Sequence, residues 1–122
     1  MKKILFADDS SIMRLFARMS TRNIHGISVT EAQDGLDAVE KIGEESFDLI
    51  ITDINMPRMD GLELIRHVRM VGLKIPIIIL TTLGEEKDVA RGMDLGADDY
   101  MTKPITVHKF TDIISSYMNV PS

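Results

Sequence analysis

The sequence predicts an α/β fold, a doubly wound five-stranded parallel sheet with helices on both faces. Five short apolar or β-branched runs alternate along the chain with five segments whose apolar residues recur at helical spacing. The fourth run, residues 75–80, is apolar on both faces, which is typical of a central strand in a parallel sheet covered by helices on both sides. Strict alternation implies right-handed crossovers. The strand order 2-1-3-4-5 is one common arrangement, which alternation alone does not select.

The first half of the chain contains three strand–helix units. The strands are predicted at residues 3–7, 27–32 and 47–52. The first helix has a stripe of arginines, which we interpret as a solvated face, opposite an apolar side. We expect this apolar side to be the packed one, formed by Ile12, Leu15, Phe16 and Met19. The second helix follows Asp34-Gly35, and the third runs from Gly61 to Val71.

The second half contains two further units. The fourth strand leads to a helix whose first turn is acidic, as the helix dipole favours. Its inner seam is predicted at Val89 and Met93, and Gly92 in its interior makes it a weak helix former. A short fifth strand ends at Lys103-Pro104. The final helix is amphipathic, with apolar residues at Val107, Phe110, Ile114, Tyr117 and Met118.

Composition indicates one soluble globular domain spanning residues 1–122. A hydrophobic content of 44% supports a real core, and the length is too small for two domains. The absence of cysteine excludes disulfides, thiolate zinc sites and cysteine nucleophiles and fits a reducing compartment, so we expect a cytoplasmic protein. No export signal is evident, and no apolar stretch approaches the roughly 20 residues that span a bilayer. A net charge of −5 without a basic cluster argues against nucleic-acid binding.

The carboxyl ends of the predicted strands collect the residues suited to chemistry. In a doubly wound sheet these ends lie at one edge, where ligands bind. That edge receives Asp8 and Asp9 after strand 1, Asp53 after strand 3, Thr81 after strand 4 and Lys103 after strand 5. Converging carboxylates repel one another unless a cation lies among them. Oxygen ligands suit a hard ion, and a site completed by waters and a phosphate suits Mg²⁺ better than Ca²⁺.

This set of residues suits phosphoryl transfer to Asp53. A carboxylate can attack phosphorus and form an aspartyl phosphate if cations offset the negative charge of donor and acceptor. Mg²⁺ and Lys103 are the available cations, and Thr81 can donate a hydroxyl hydrogen bond to a phosphoryl oxygen. Taken singly, Asp8 and Asp9 could be helix N-caps, Asp53 a turn residue and Lys103 an ordinary surface residue. Their joint placement at one edge argues against that combination.

Two other functions share parts of this pattern. An aspartate-dependent phosphohydrolase of the dehalogenase type wants a second acid two residues after the nucleophile, where this chain has Asn55. A flavodoxin-like electron carrier would have the same fold. However, no phosphate-cradling loop follows strand 1, and aromatic residues able to sandwich a flavin make up only 5% of the chain.

Together these motifs resemble a known family. They are Asp8-Asp9-Ser10 after the first strand, Asp53 with Met56-Pro57 and Asp60-Gly61, Thr81 after the fourth strand, and Lys103-Pro104 after the fifth. With them the chain resembles, over essentially its whole length, the receiver domain of two-component response regulators, of the stand-alone chemotaxis-regulator (CheY-like) type. The resemblance implies a flavodoxin-like fold with sheet order 2-1-3-4-5 and five helices.

The resemblance also implies roles for the acidic residues and the lysine. Asp53 would be the phosphoacceptor. Asp8 and Asp9 would bind Mg²⁺ together with Asp53, and the backbone carbonyl of Asn55 would be a further ligand. Lys103 would pair with the phosphoryl group.

The same resemblance implies a switch that catalyses only its own phosphorylation and dephosphorylation, rather than an enzyme. Thr81 would be the switch hydroxyl, Tyr100 the aromatic that reorients with it, and Lys103-Pro104 a cis peptide. A sensor histidine kinase would donate the phosphoryl group. An output protein, such as the flagellar motor switch, would bind the face of helix 4, strand 5 and helix 5. The alternative is a phosphate sink or phosphorelay intermediate. We expect a monomer without membrane insertion.

Overall fold

The structure, a computed structural model, describes residues 1–119, in which five strands and five helices alternate. The strands are β1 Lys2–Ala7, β2 Ile27–Ala32, β3 Leu49–Asp53, β4 Ile77–Thr81 and β5 Asp99–Thr102. The helices are α1 Ser11–Thr21, α2 Gly35–Glu44, α3 Gly61–Met70, α4 Glu86–Leu95 and α5 Val107–Met118. Within residues 1–119, every helix is too short or too polar to cross a membrane.

The strands form one parallel sheet in the order β2-β1-β3-β4-β5, which confirms the predicted fold class and strand order. Ala7 lies opposite Thr52, so the next residue, Asp8, comes level with Asp53. Thr81 lies opposite Thr102 at the end of the β4–β5 ladder. The residues that follow β1, β3, β4 and β5 therefore emerge at the same edge of the sheet.

The core has two layers, one on each face of the sheet. β3 and β4 are buried along their whole length because helices cover both sides. Helices α2, α3 and α4 pack on the face that carries Ile50 and Ile79. Helices α1 and α5 pack on the opposite face, where the Phe110 ring contacts Phe6 and Phe16 edge-on, with centroids 6.0 and 5.3 Å apart.

Helix α1 packs through a side that only partly matches the predicted one. Ile12, Leu15 and Met19 are 76%, 46% and 53% exposed, whereas Ala17 and Thr21 are buried. Thr21 tolerates burial because its hydroxyl donates to the backbone carbonyl of Ala17 at 2.8 Å. Phe16, the fourth residue of the predicted stripe, does pack against the core. The expectation was wrong for the other three residues, because the side of α1 that faces the sheet runs through Phe16 and the smaller Ala17 and Thr21.

Helix α4 also differs from its predicted packing. Val89 packs against the core as expected, but Met93 is 37% exposed. Gly92 is the buried residue of this helix, and an ideal Cβ there would lie 2.4 Å from Cδ1 of Ile79. The glycine therefore permits a close approach of α4 to β4, which accounts for a poor helix former in the interior of a helix.

The helix starts differ in one respect that concerns the site. The N-cap side chains of α1, α2, α3 and α5 accept a hydrogen bond from the backbone N–H three residues ahead. These caps are Ser10, Asp34, Asp60 and Thr106. Glu85, the N-cap of α4, makes no such bond. Its carboxylate instead accepts hydrogen bonds from residues outside α4.

Candidate functional site

The ends of β1 and β3 place two carboxylates side by side in the interior. Asp8 is completely buried, and its backbone N–H donates to the carbonyl of Ala32 at 3.1 Å, which extends the β1–β2 pairing by one residue. One Asp8 carboxylate oxygen accepts from the backbone N–H of Ser10 at 2.9 Å. Asp53, the last residue of β3, is 8% exposed, and its Oδ1 accepts from the N–H of Ile54 at 2.8 Å. Both side chains are therefore held in place by backbone donors.

Lys103 supplies the positive charge between these carboxylates. Its Nζ lies 3.0 Å from Oδ2 of Asp8 and 3.3 Å from Oδ2 of Asp53. Its backbone N–H donates to the carbonyl of Thr81 at 2.7 Å, and the Lys103–Pro104 peptide is cis, as the family resemblance implied. The lysine is thus anchored to β4 while its side chain reaches across the edge of the sheet.

A third carboxylate completes an acidic cluster. Asp8, Asp9 and Asp53 each offer an oxygen, and these oxygens lie within 4.8 Å of one another. Asp9 is exposed and shares a shallow cavity with Asn55, two residues beyond Asp53. An all-oxygen donor set that opens to solvent fits a hard divalent cation that keeps several waters.

The electrostatics of the cluster favour a further cation. Burial raises the pKa of Asp53, the charge of Asp8 raises it further, and the contact with Lys103 offsets only part of this. Burial acts to lower the pKa of Lys103, but its hydrogen bond to Asp8 and the charge of Asp53 raise it overall. The ammonium is therefore held in its charged form, while the surrounding carboxylates remain incompletely neutralised.

Thr81 and Tyr100 lie on the neighbouring strands β4 and β5. Thr81 is buried at the end of β4. Tyr100 is half exposed, and both residues line a cavity of about 340 Å³ between β5, α4 and the loop before α4. The Thr81 hydroxyl lies 3.0 Å from a carboxylate oxygen of Glu85 and 3.3 Å from the carbonyl of Thr82, so its hydrogen bonding is directed toward the β4–α4 loop.

Sequence reasoning assigned Glu85 only to the acidic first turn of α4. In the structure its carboxylate accepts from the Thr81 hydroxyl, from the backbone N–H of Thr82 at 2.7 Å and from the Asn55 side-chain amide. Burial acts to raise the pKa of Glu85, but these hydrogen bonds lower it below its usual range. No pattern in the sequence distinguishes this glutamate from its neighbour Glu86, because the contact depends on the path of the loop.

The loop after Asp53 is tied to the start of α2. Arg58 donates from Nε and Nη2 to the two carboxylate oxygens of Asp34, at 2.7 and 3.0 Å. These bonds hold the pKa of Asp34 below its usual range. The backbone N–H of Gly35 donates to the carbonyl of Met59 at 2.9 Å. The sequence did not reveal this connection, since it joins two loops through long-range contacts.

Comparison with known proteins identifies the family. The family model described as "Response regulator receiver domain" matches residues 4–115. The chain therefore belongs to the response regulator receiver family. Receiver domains take phosphoryl groups from histidine kinases and generally bind Mg²⁺ at an acidic pocket.

Curated relatives of this receiver domain include a transcriptional regulatory protein and a response regulator. The alkaline phosphatase synthesis transcriptional regulatory protein PhoP of Bacillus subtilis (strain 168) is 43% identical over 86% of this chain and 43% of its own length. The response regulator MprA of Mycobacterium sp. (strain KMS) is 38% identical over 88% of this chain and 46% of its own length. The chain thus spans less than half the length of these relatives.

Solved structures with the same fold include a receiver domain and a chemotaxis protein. The receiver domain of the Francisella response regulator 1452 has a TM-score of 0.88 and 30% identity, and covers 98% of both chains. The Vibrio cholerae chemotaxis protein CheY4 has a TM-score of 0.88 and 33% identity, and covers 96% of this chain and 98% of its own.

The receiver domain brings most of the predicted site residues together. Asp8, Asp9, Asp53 and Lys103 form one cluster. Other predicted residues lie around it: Thr81 and Tyr100 on the adjoining strands, and Asn55 in the loop after β3. The chemical role of each residue stays a prediction, which the next section develops.

Proposed function

We propose that this receiver domain is a phosphorylation-activated signalling switch, in which Asp53 accepts a phosphoryl group from the phosphohistidine of a sensor kinase with Mg²⁺ as cofactor. The observation that carries the proposal is the position of the Lys103 ammonium, within 3.3 Å of Asp53 and 3.0 Å of Asp8 at the edge of the sheet. A nucleophile next to a fixed cation and an acidic cluster is the arrangement that phosphoryl transfer to a carboxylate requires.

The reaction transfers one phosphoryl group. A carboxylate oxygen of Asp53 attacks the phosphorus, the phosphorus–nitrogen bond of the phosphohistidine breaks, and the imidazole leaves with its electron pair. The Lys103 ammonium stabilises the negative charge of the phosphoryl oxygens and remains protonated. Asp8, Asp9, Asp53 and the Asn55 carbonyl are the proposed holders of Mg²⁺, which when bound neutralises phosphoryl charge. The chain acts on itself alone, so we propose that it is not an enzyme with an external turnover substrate.

The proposed output is a change in partner binding on the face formed by α4, β5 and α5. On phosphorylation, Thr81 would donate its hydroxyl to a phosphoryl oxygen, and Tyr100 would move from its half-exposed position into the cavity that it shares with Thr81. This movement would change the surface presented by β5 and by the start of α4. The proposed active species is a monomer.

Two outputs are candidates for this surface. Likeness to the Vibrio cholerae chemotaxis protein CheY4 supports a role in chemotaxis, for which our proposed partner is the flagellar motor switch. Higher identity to PhoP, which is named a transcriptional regulatory protein, supports control of transcription. Affinity capture distinguishes the two outputs by the partner that is retained. The bait is the chain loaded with beryllofluoride, an inert mimic of the phosphoryl group, and Asp53→Asn is the control. A phosphate sink or phosphorelay intermediate would retain no partner that depends on loading.

Intact-mass measurement tests the phosphoacceptor. The wild-type chain is incubated with a small acyl-phosphate donor in Mg²⁺ or in EDTA, and we expect a single phosphoryl adduct in Mg²⁺ only. Asp53→Asn should abolish the adduct. Asp48→Asn is the matched control. Asp48 directly precedes β3, at the end of the strand away from Asp53, so this variant should be phosphorylated like the wild type. An adduct that survives Asp53→Asn would overturn the proposal.

A further inference from the structure

The side chain of Glu85 contacts the Thr81 hydroxyl and two further donors. Its Oε1 accepts from the Thr81 hydroxyl at 3.0 Å and from the N–H of Thr82 at 2.7 Å. Its other oxygen accepts from the side-chain amide of Asn55, in the loop that follows Asp53. One carboxylate thus connects the end of β4, the β4–α4 loop and the loop beyond the phosphoacceptor.

The Thr81 hydroxyl has a single proton, so it can donate to only one strong acceptor at a time. In the structure its two nearby acceptors are the Glu85 carboxylate and, at the longer distance of 3.3 Å, the Thr82 carbonyl. A hydrogen bond to an ionised carboxylate is stronger than one to a neutral acceptor. The hydroxyl must therefore leave Glu85 before it can donate to a phosphoryl group on Asp53.

We propose that Glu85 is a positioning residue that holds the Thr81 hydroxyl in the unphosphorylated arrangement and so opposes the switch. This inference rests on the proposed function of Asp53 and deepens it. A phosphoryl group on Asp53 brings about −1.5 to −2 of negative charge. That charge competes with the Glu85 carboxylate for the Thr81 proton, so formation of the phosphoryl contact breaks the Thr81–Glu85 hydrogen bond and releases the β4–α4 loop.

Glu85 lies at the start of α4, so the loss of its contacts can alter the proposed output face. As the N-cap residue of α4 it gives no side-chain cap to that helix, so its carboxylate is committed to Thr81, Thr82 and Asn55. Release of these contacts frees the segment that precedes α4, on the proposed output face. A local exchange of hydrogen-bond acceptors by Thr81 is in this way coupled to the surface that an output protein would bind.

Beryllofluoride affinity tests the proposal, because this inert phosphoryl mimic binds without chemistry. Beryllofluoride is titrated into the full chain with excess Mg²⁺ and followed by isothermal titration calorimetry. Glu85→Ala should tighten the apparent Kd about tenfold, equivalent to about 1.4 kcal/mol, because Thr81 no longer has to leave a charged acceptor. Glu85→Gln keeps an acceptor oxygen without the charge and should give a smaller gain, about threefold.

Two comparisons separate positioning of Thr81 from simple removal of charge. Glu86→Ala removes the same charge from the adjacent, exposed residue, and should change the Kd less than twofold. In a Thr81→Val background, which lacks the hydroxyl, Glu85→Ala should give no gain. A gain that persists in that background, or an equal gain from Glu86→Ala, would assign the effect to electrostatic repulsion and overturn the proposal.

The result also distinguishes this inference from the proposed function. A wild-type chain that fails to bind beryllofluoride, or binds it equally well after Asp53→Asn, refutes the phosphoacceptor and the Glu85 inference together. A wild-type chain that binds through Asp53 and is not improved by Glu85→Ala refutes the Glu85 inference alone. If Glu85→Ala does not fold, the comparison of Glu85→Gln with the wild type decides, and an unchanged Kd there counts against the proposal.

Discussion

Replacing Gly61 with alanine tests how closely α3 must approach the strand that carries Asp53. An ideal Cβ on Gly61 would lie 2.0 Å from the backbone oxygen of Asp53 and 3.0 Å from Cα of Ile54. A carbon and an oxygen in contact are normally separated by about 3.3 Å, so roughly 1.3 Å of overlap must be relieved. The obstructing atoms belong to the backbone, so either α3 or the end of β3 has to move.

The structure suggests a large effect for a single methyl group. Overpacking costs about 1–3 kcal/mol where side chains can adjust, and we expect about 3 kcal/mol here because backbone must shift. For a domain of this size, 1 kcal/mol corresponds to about 4 °C, so the Tm of Gly61→Ala should fall by about 12 °C. Differential scanning calorimetry measures this directly. The rate of phosphorylation at Asp53 should also fall, because the nucleophile is displaced.

Gly43→Ala is the matched control. Gly43 lies inside α2 with no heavy atom within 4 Å of its ideal Cβ. The substitution should therefore stabilise the protein by about 0.5–1 kcal/mol through helix propensity alone, raising the Tm by about 2–4 °C. A Gly61→Ala protein with a Tm at or above that of the wild type would refute the argument from close approach.

Three further predictions concern charge. In EDTA, the free energy of unfolding of the wild type relative to that of Asp53→Asn should fall as pH rises from the ordinary aspartate pKa through the raised native pKa of Asp53, because the native state holds that proton longer. Asp53→Asn lacks this titration and should be more stable than the wild type at neutral pH. Lys103→Met should destabilise the metal-free chain by about 2 kcal/mol, since it leaves Asp8 and Asp53 unpaired, and thermal-shift titration should show a larger gain from Mg²⁺ than in the wild type. Asp34→Ala should lower the free energy of unfolding, measured with urea, by about 1 kcal/mol for the lost N-cap of α2. The substitution also removes the ion pair with Arg58, whose contribution adds to this value.

The sequence predicted the fold because its strongest signals are local. The apolar runs of β3 and β4 read as central strands, and each ends at the position where a site residue follows. The sequence was a poorer guide to which side of α1 packs against the sheet. Its buried residues, Ala17 and Thr21, are small or polar, while Ile12 is exposed. Which side of a helix faces the sheet depends on how closely the backbones approach, and a hydrophobic pattern does not contain that distance.

The residues of the candidate site also fall into those that the sequence predicts and those that it does not. Asp53 and Lys103 could be predicted because strand ends converge in a parallel sheet whatever the details of the loops. The contacts of Glu85 could not, since they depend on how the side chain turns back from the start of α4. Residues at the end of a strand or directly after it were thus predictable, and residues whose role depends on the path of a longer loop required the structure.

The acidic cluster and Lys103 lie at one edge of the sheet, which leaves the opposite edge available for spectroscopic reporters. The loops there, at residues 22–26, 45–48, 71–76 and 96–98, connect helix ends to strand starts. The chain has no cysteine, so a thiol introduced at the exposed Asn23 or Ser46 would be unique and could carry a fluorophore or spin label. A label at that edge would be separated from the acidic cluster by the length of a strand, and could report domain tumbling or partner capture without perturbing the ions and hydrogen bonds around Asp53.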